Sequence, residues 1–203
     1  MNNDQKTIID KTISLEKKTF HSIPKIQQWK NYKIIKTLKE NNQCVLFLIQ
    51  DENNNSFLLK VFYPYSPFNI ESINKIKELS QRKDFPPFLT KILDYGFDEQ
   101  FKSYYIIEEY IPNQDLSLYI KNQKNNKQKI EPNFIITFTN QMNQALNYLH
   151  QNEIIHCDIK PSNILIRSTN PLTFSITDYN ISSYKPKEID IKSTTFKLTP
   201  AYA

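Results

Sequence analysis

His156-Cys157-Asp158-Ile159-Lys160-Pro161-Ser162-Asn163 lies between a helix-like run and a short apolar strand, Ile164-Leu165-Ile166. Pro161 has no N–H and a fixed φ, so the segment is a loop rather than a helix. A loop between two apolar elements is where reactive side chains are commonly mounted. Asp158 could accept a proton from a hydroxyl, and Lys160 could neutralise a phosphoryl oxygen. Asn163 offers an amide oxygen to a hard cation such as Mg²⁺.

The elements around the loop follow from periodicity. Pro132 opens a long helix through Phe134, Phe138, Met142, Ala145, Leu146 and Leu149, an apolar face at the 3.6-residue period. Residues 115–122 read as a shorter helix, and residues 164–166 with 174–177 as a small hairpin. Nearer the N-terminus the pattern is β. Residues 32–38, 44–49 and 56–62 form an antiparallel meander whose 51–55 turn is rich in residues that bond their own backbone. Residues 89–95 and 104–109 are two further strands, and residues 70–82 a helix with Ile73, Ile76 and Leu79 on one side. Residues 1–31 are polar apart from scattered Ile and a lone Trp29, and read as a loose extension.

Composition narrows the function classes. With 203 residues, 39% apolar and 23% charged, the chain is globular. Its net charge of +5 comes from scattered lysines with no arginine-rich stripe, which argues against nucleic acid as a partner. Cys44 and Cys157 fit neither a disulfide framework nor a metal site, which suggests a reducing compartment. There is no apolar leader at the N-terminus and no apolar run of membrane-spanning length, so no membrane partner is expected and the location reads as intracellular and cytoplasmic. Gly96 is the single glycine, and Asn is expected to replace Gly where turns need the left-handed region.

The central loop resembles the catalytic loop of eukaryotic-type protein kinases, H-R-D-L-K-P-x-N, with Lys160 as in the serine/threonine-specific members and Cys157 where the family has Arg. The resemblance covers about residues 32–203. It implies an α+β, two-lobed protein-kinase-like fold: a five-stranded antiparallel N-lobe with one helix, about 32–111, and an incomplete, mainly helical C-lobe, about 112–203. Lys60, in Phe57-Leu58-Leu59-Lys60, resembles the phosphate-binding lysine of V-A-I-K, and Glu78 on the next helix is its expected partner, with Glu71 as fallback. Asp178, in Ile176-Thr177-Asp178-Tyr179-Asn180, resembles the metal-binding Asp of D-F-G. Tyr179 keeps the aromatic ring, and Asn180 keeps some access to φ > 0. The stretch from Ser193 to Tyr202 resembles the end of an activation segment, with Thr195 at the usual phosphosite and Thr199 at the threonine that bonds the catalytic Asp and Lys. The sequence stops at Ala203, just before the family's A-P-E, and reads as a truncated catalytic domain.

The resemblance implies an ATP-dependent serine/threonine protein kinase. Asp158 would orient the protein hydroxyl and take its proton, Lys160 would stabilise the transferred phosphoryl, and Asn163 and Asp178 would hold Mg²⁺. ATP would lie near Leu38, Leu46, Lys60, Glu109, Ile111 and Leu165. Several departures favour an alternative, a pseudokinase-like binding module. The glycine-rich loop would fall on residues 39–46, which contain no glycine and include Glu40. Leu58 stands where the family has a small Ala, and Glu108 occupies the back-pocket position. A small-molecule kinase of related fold is a third class, against which Thr199-Pro200 argues. Cys157 lacks the charge to pair with a phosphate on Thr195, so activity is expected to depend weakly on phosphorylation there.

Overall fold

The computed structural model describes residues 27–99, 101–180 and 182–184. These fall into two compact units, one of residues up to Pro67 with Leu93–Tyr110, the other of Phe68–Ile92 with residues from Ile111 onward. The helix assigned to the N-lobe by sequence therefore groups with the second unit.

The first unit is built on a six-stranded sheet. Its strands are β1 (Gln28–Trp29), β2 (Tyr32–Glu40), β3 (Cys44–Gln50), β4 (Ser56–Phe62), β5 (Ile92–Asp98) and β6 (Ser103–Glu109), in the order β1-β2-β3-β4-β6-β5. Alternation on β3 sends Val45, Phe47 and Ile49 into the core, where they meet Leu59, Val61, Tyr105 and Ile107. The β3–β4 turn is closed by Asp51, which accepts hydrogen bonds from the backbone N–H of Asn53 and Asn55 and from the Asn55 side chain. The Asn55 side chain is the main reason its carboxyl is held below the usual range.

Two features differ from the sequence reading. The fifth strand begins at Ile92 rather than at residue 89, and Leu89 instead makes a parallel bridge to Ile176. A sixth strand, β1, lies in what reads as a loose extension, and its Trp29 is 3% exposed. Trp29 sets its ring edge-on to Tyr105, with centroids 4.9 Å apart, and donates from Nε1 to Asp98 Oδ2 at 2.9 Å. Lys30 Nζ donates to the Tyr105 hydroxyl at 2.7 Å, which in turn donates to Asp94 at 3.1 Å.

Tyr105, held on several sides, explains the lone glycine. A Cβ at Gly96 would meet Tyr105 Oη at 3.0 Å and ring carbons at 3.1 and 3.2 Å. Gly96→Ala is expected to destabilise the fold by about 1–3 kcal/mol through overpacking. Urea unfolding checks this, and a variant as stable as the native chain would contradict the packing described. Elsewhere Asn is not the general stand-in for glycine. Of the described residues with positive φ, Asn54 is the asparagine, beside Lys30, Lys102, Lys127, Glu153, Cys157 and Asp178.

The second unit carries α1 (Ile70–Ser80), α2 (Leu116–Asn125), α3 (Pro132–Gln151), β7 (Ile154–Ile155), β8 (Ile164–Thr169), β9 (Leu172–Ile176) and β10 (Ser183–Tyr184). Asn69 caps α1 by accepting from Ser72 N, and Asp115 caps α2 by accepting from Leu118 N. α3 buries Met142, Ala145 and Leu149. Its Phe134 and Phe138 meet the ring of Phe174 on β9 edge-on, at 5.0 and 5.3 Å. The Gln141 amide matches the backbone of β9, donating to Leu172 O at 3.0 Å and accepting from Phe174 N at 2.8 Å. β8 and β9 pair antiparallel, as do β7 and β10, a pairing that falls where sequence reading expected only loop. Among the described residues, no helix is long and apolar enough to cross a membrane.

Candidate active site

The loop between β7 and β8 is shaped by its backbone first. Cys157 lies in the left-handed region at φ 65, and Lys160 is extended. Residues Pro161–Asn163 then close a 3₁₀ turn, with Asn163 N donating to Lys160 O at 2.9 Å. Pro161 takes the first position of that turn, where its missing N–H costs nothing. This path folds three candidate side chains onto one another. Lys160 Nζ lies 2.7 Å from Asp158 Oδ2, and Asn163 Nδ2 donates to the same oxygen at 2.9 Å and to Asp158 O at 3.0 Å. Both acceptors are oxygens, so the amide orientation of Asn163 is fixed by chemistry, and its Oδ1 is the atom turned to other use.

His156, to which the sequence assigns no role, is 2% exposed. Its Nε2 faces Thr177 O at 3.0 Å, and a carbonyl can only accept, so Nε2 carries the proton. Nδ1 then accepts from Asp158 N at 3.3 Å. The imidazole thus ties the loop to the end of β9, a tie repeated by Thr177 N donating to Asn163 O at 2.9 Å.

Asp178 follows Thr177 directly, half-buried and at φ 77. The left-handed residue of this triplet is therefore Asp178 and not Asn180, as the comparison with D-F-G suggested. Its neighbours fix it. Tyr179 is fully buried, with its ring 5.4 Å from that of His156, and its hydroxyl donates to Ile176 O at 2.8 Å while accepting from Thr90 N at 3.0 Å. Asn180 O accepts from Asn69 N, and Ser182 O accepts from the Asn69 and Ser72 side chains at the start of α1. A phenylalanine would keep the ring contact but lose both bonds of the hydroxyl.

These residues fit Mg²⁺ in a limited way. Among the described residues no three His, Cys, Asp or Glu side chains gather as metal ligands. A cation here would draw on one amide oxygen, from Asn163, and one carboxylate, from Asp178. It would complete its shell with phosphate oxygens and water, which is how Mg²⁺ is usually held beside a nucleotide.

In the first unit, Lys60 lies on β4, 4% exposed. Within the sheet its Nζ lies 2.9 Å from Oε1 of Glu108 on β6. Glu78 is exposed on α1 and accepts from Asn74 at 3.1 Å, and the fallback Glu71 is also exposed. The α1 period explains this: Ile73, Ile76 and Leu79 take the buried face and leave Glu71 and Glu78 on the outer one. Of the residues named for the adenine site, Leu46 and Glu109 are half-buried and Leu38 is 37% exposed. In the second unit Ile111 is buried, and Leu165 is half-buried on β8, opposite Ser175.

The β2–β3 turn stands where the family's glycine-rich loop would fall. Asn41 Oδ1 accepts from Gln43 N at 2.7 Å and from Cys44 N at 2.9 Å, closing an Asx turn. Gln43 O in turn accepts from Tyr63 N and the Ser66 hydroxyl. Two amides that a phosphate could use are already satisfied by a side chain. Glu40 receives the Tyr63 hydroxyl, so its charge is tied to a neighbour within the sheet; burial first and Glu40 second push that phenol up. Thr195 and Thr199 lie outside the described residues.

A sequence profile of the family described as "Protein kinase domain" matches residues 41–203. Aurora kinase of Eremothecium gossypii is 35% identical over 101 residues, covering 50% of this chain and 25% of that protein. Myosin light chain kinase 3 of Rattus norvegicus is 29% identical over 126 residues, 57% of this chain and 16% of that protein. Serine/threonine-protein kinase tousled-like 1 of Caenorhabditis elegans is 34% identical over 104 residues, 50% of this chain and 10% of that protein. The matched stretches therefore span a quarter or less of these relatives' lengths. With the Asp158–Lys160–Asn163 loop and the Asp178 turn in place, and with the family profile running over residues 41–203, the chain belongs to the protein kinase domain family.

Proposed function

We propose that this chain is a serine/threonine protein kinase that transfers the γ-phosphoryl group of Mg-ATP to a protein hydroxyl. The observation that carries the reading is the Asp158 carboxylate, 2.7 Å from the Lys160 ammonium and 2.9 Å from the Asn163 amide. An acceptor hydroxyl would be oriented by Asp158 and would lose its proton to it as the phosphoryl transfers. Lys160 would neutralise charge on the moving phosphoryl, and Lys60 would offset charge on the remaining phosphates. Asn163 Oδ1 and Asp178 would hold Mg²⁺, which when bound neutralises phosphate charge. Thr195 as phosphosite and Thr199 as a bond to Asp158 and Lys160 belong to the same proposal.

One observation favours a second reading, a binding module with little turnover. The Asn41 side chain occupies the Gln43 and Cys44 amides, which removes backbone donors from phosphate binding. Both readings share weak, metal-dependent nucleotide binding. ATP titrated against the melting temperature is expected to raise it with Mg²⁺ present and to leave it unchanged without. An equal rise in the absence of metal would remove Asn163 and Asp178 from nucleotide binding.

A further inference from the structure

We infer that Glu108 is a positioning residue for Lys60. The inference rests on the reading of Lys60 as the phosphate-binding lysine. β4 and β6 pair antiparallel with Leu58 opposite Glu108 and Lys60 opposite Ile106. Alternate residues of a strand share a face, so Lys60 and Glu108 are diagonal neighbours on one face of the sheet. The pair is 2.9 Å long, and the two side chains are 5% and 0% exposed. The contact reads as an ion pair rather than an aligned hydrogen bond. A buried ion pair adds little stability over an apolar pair of the same volume. The adjacent Ile106 and Ile107, each 1% exposed, show that the strand already carries apolar side chains to interior positions. The charge at Glu108 therefore calls for another reason, and holding the Lys60 ammonium supplies one.

Two consequences follow. The contact between Lys60 and Glu108 is set by the β4–β6 register, so it is kept as long as the two strands stay paired. Glu108 also competes with phosphate for the ammonium, so the pair should be visible in the affinity for ATP. A merely structural role would reduce the folded fraction, and with it kcat, at unchanged KM for ATP. A positioning role moves KM.

The test measures kcat, KM for ATP, the Mg-ATP melting shift and urea unfolding for the native chain, Glu108→Gln and Glu108→Asp. Glu108→Gln is expected to change KM for ATP at least fivefold and to lower kcat/KM at least tenfold. Should Glu108→Gln fail to fold, Glu108→Asp decides. It keeps the charge but withdraws the carboxylate by one methylene, and is expected to change KM for ATP threefold or more. An unchanged KM in the Glu108 variants overturns the assignment of Glu108 while leaving the kinase reading intact. A native chain whose melting temperature ignores Mg-ATP overturns the nucleotide reading, and this assignment with it.

Discussion

Asp158→Asn is expected to lower kcat for phosphoryl transfer about 10³-fold while Mg-ATP binding persists, a loss of about 4 kcal/mol of transition-state stabilisation. The substitution keeps the size and shape of the side chain. An amide oxygen can still accept from Asn163 Nδ2, which donates to Asp158 Oδ2 at 2.9 Å in the native chain. What disappears is the negative charge that takes the hydroxyl proton and that faces Lys160 at 2.7 Å. The cation ligands proposed for nucleotide binding, Asn163 and Asp178, are untouched, so the Mg-ATP melting shift should match the native one. Steady-state rates and thermal shifts on the same preparation check both halves. A residual rate within tenfold of native would remove Asp158 from the chemistry.

Trp29→Ala is expected to cost about 3–5 kcal/mol of stability, the range for removing a buried tryptophan. Further loss comes from Asp98, 8% exposed, whose Oδ2 would lose the indole N–H at 2.9 Å while Oδ1 keeps the Phe101 N–H at 3.0 Å. Small domains are stable by only about 5–15 kcal/mol, so this one change removes a large share. Trp29→Phe separates the causes. It keeps an aromatic ring against Tyr105 and loses the donor, for an expected cost of about 1–3 kcal/mol. Urea unfolding of both variants measures the difference. A loss below about 1 kcal/mol in Trp29→Ala would mean that the sheet does not need β1.

The central loop was legible because its functional residues are contiguous and its shape is local. Pro161 announces the turn, and the apolar period of α3 and the short strand β8 frame it. The meander was legible for the same reason, since alternation along β3 and β4 is a property of neighbouring residues. The pairing of Lys60 with Glu108 was not legible. Glu108 was visible as a charge in an apolar strand, but its place diagonal to Lys60 depends on the β4–β6 register, which pairs residues about fifty positions apart. Trp29 was missed because a two-residue strand has no period, and its anchors, Tyr105 and Asp98, lie far along the chain. The left-handed residues were misjudged for another reason. Residue type predicts where positive φ is inexpensive, whereas Cys157 and Asp178 are held there by the bonds around them. At the β2–β3 turn the absence of glycine was plain. The Asx turn by which Asn41 uses up the amides became visible only with the backbone path.

The account stands most directly on one measurement: transfer of labelled γ-phosphate from ATP to a mixture of serine- and threonine-containing peptides by the purified chain, with and without Mg²⁺, followed by identification of the phosphorylated residue. The account predicts label on serine or threonine that requires Mg²⁺ and is slow, because the Asn41 turn offers phosphate few donors. Nucleotide binding with no label on any peptide, at any Mg²⁺ concentration, would contradict it and leave the chain as a binding module on a kinase fold.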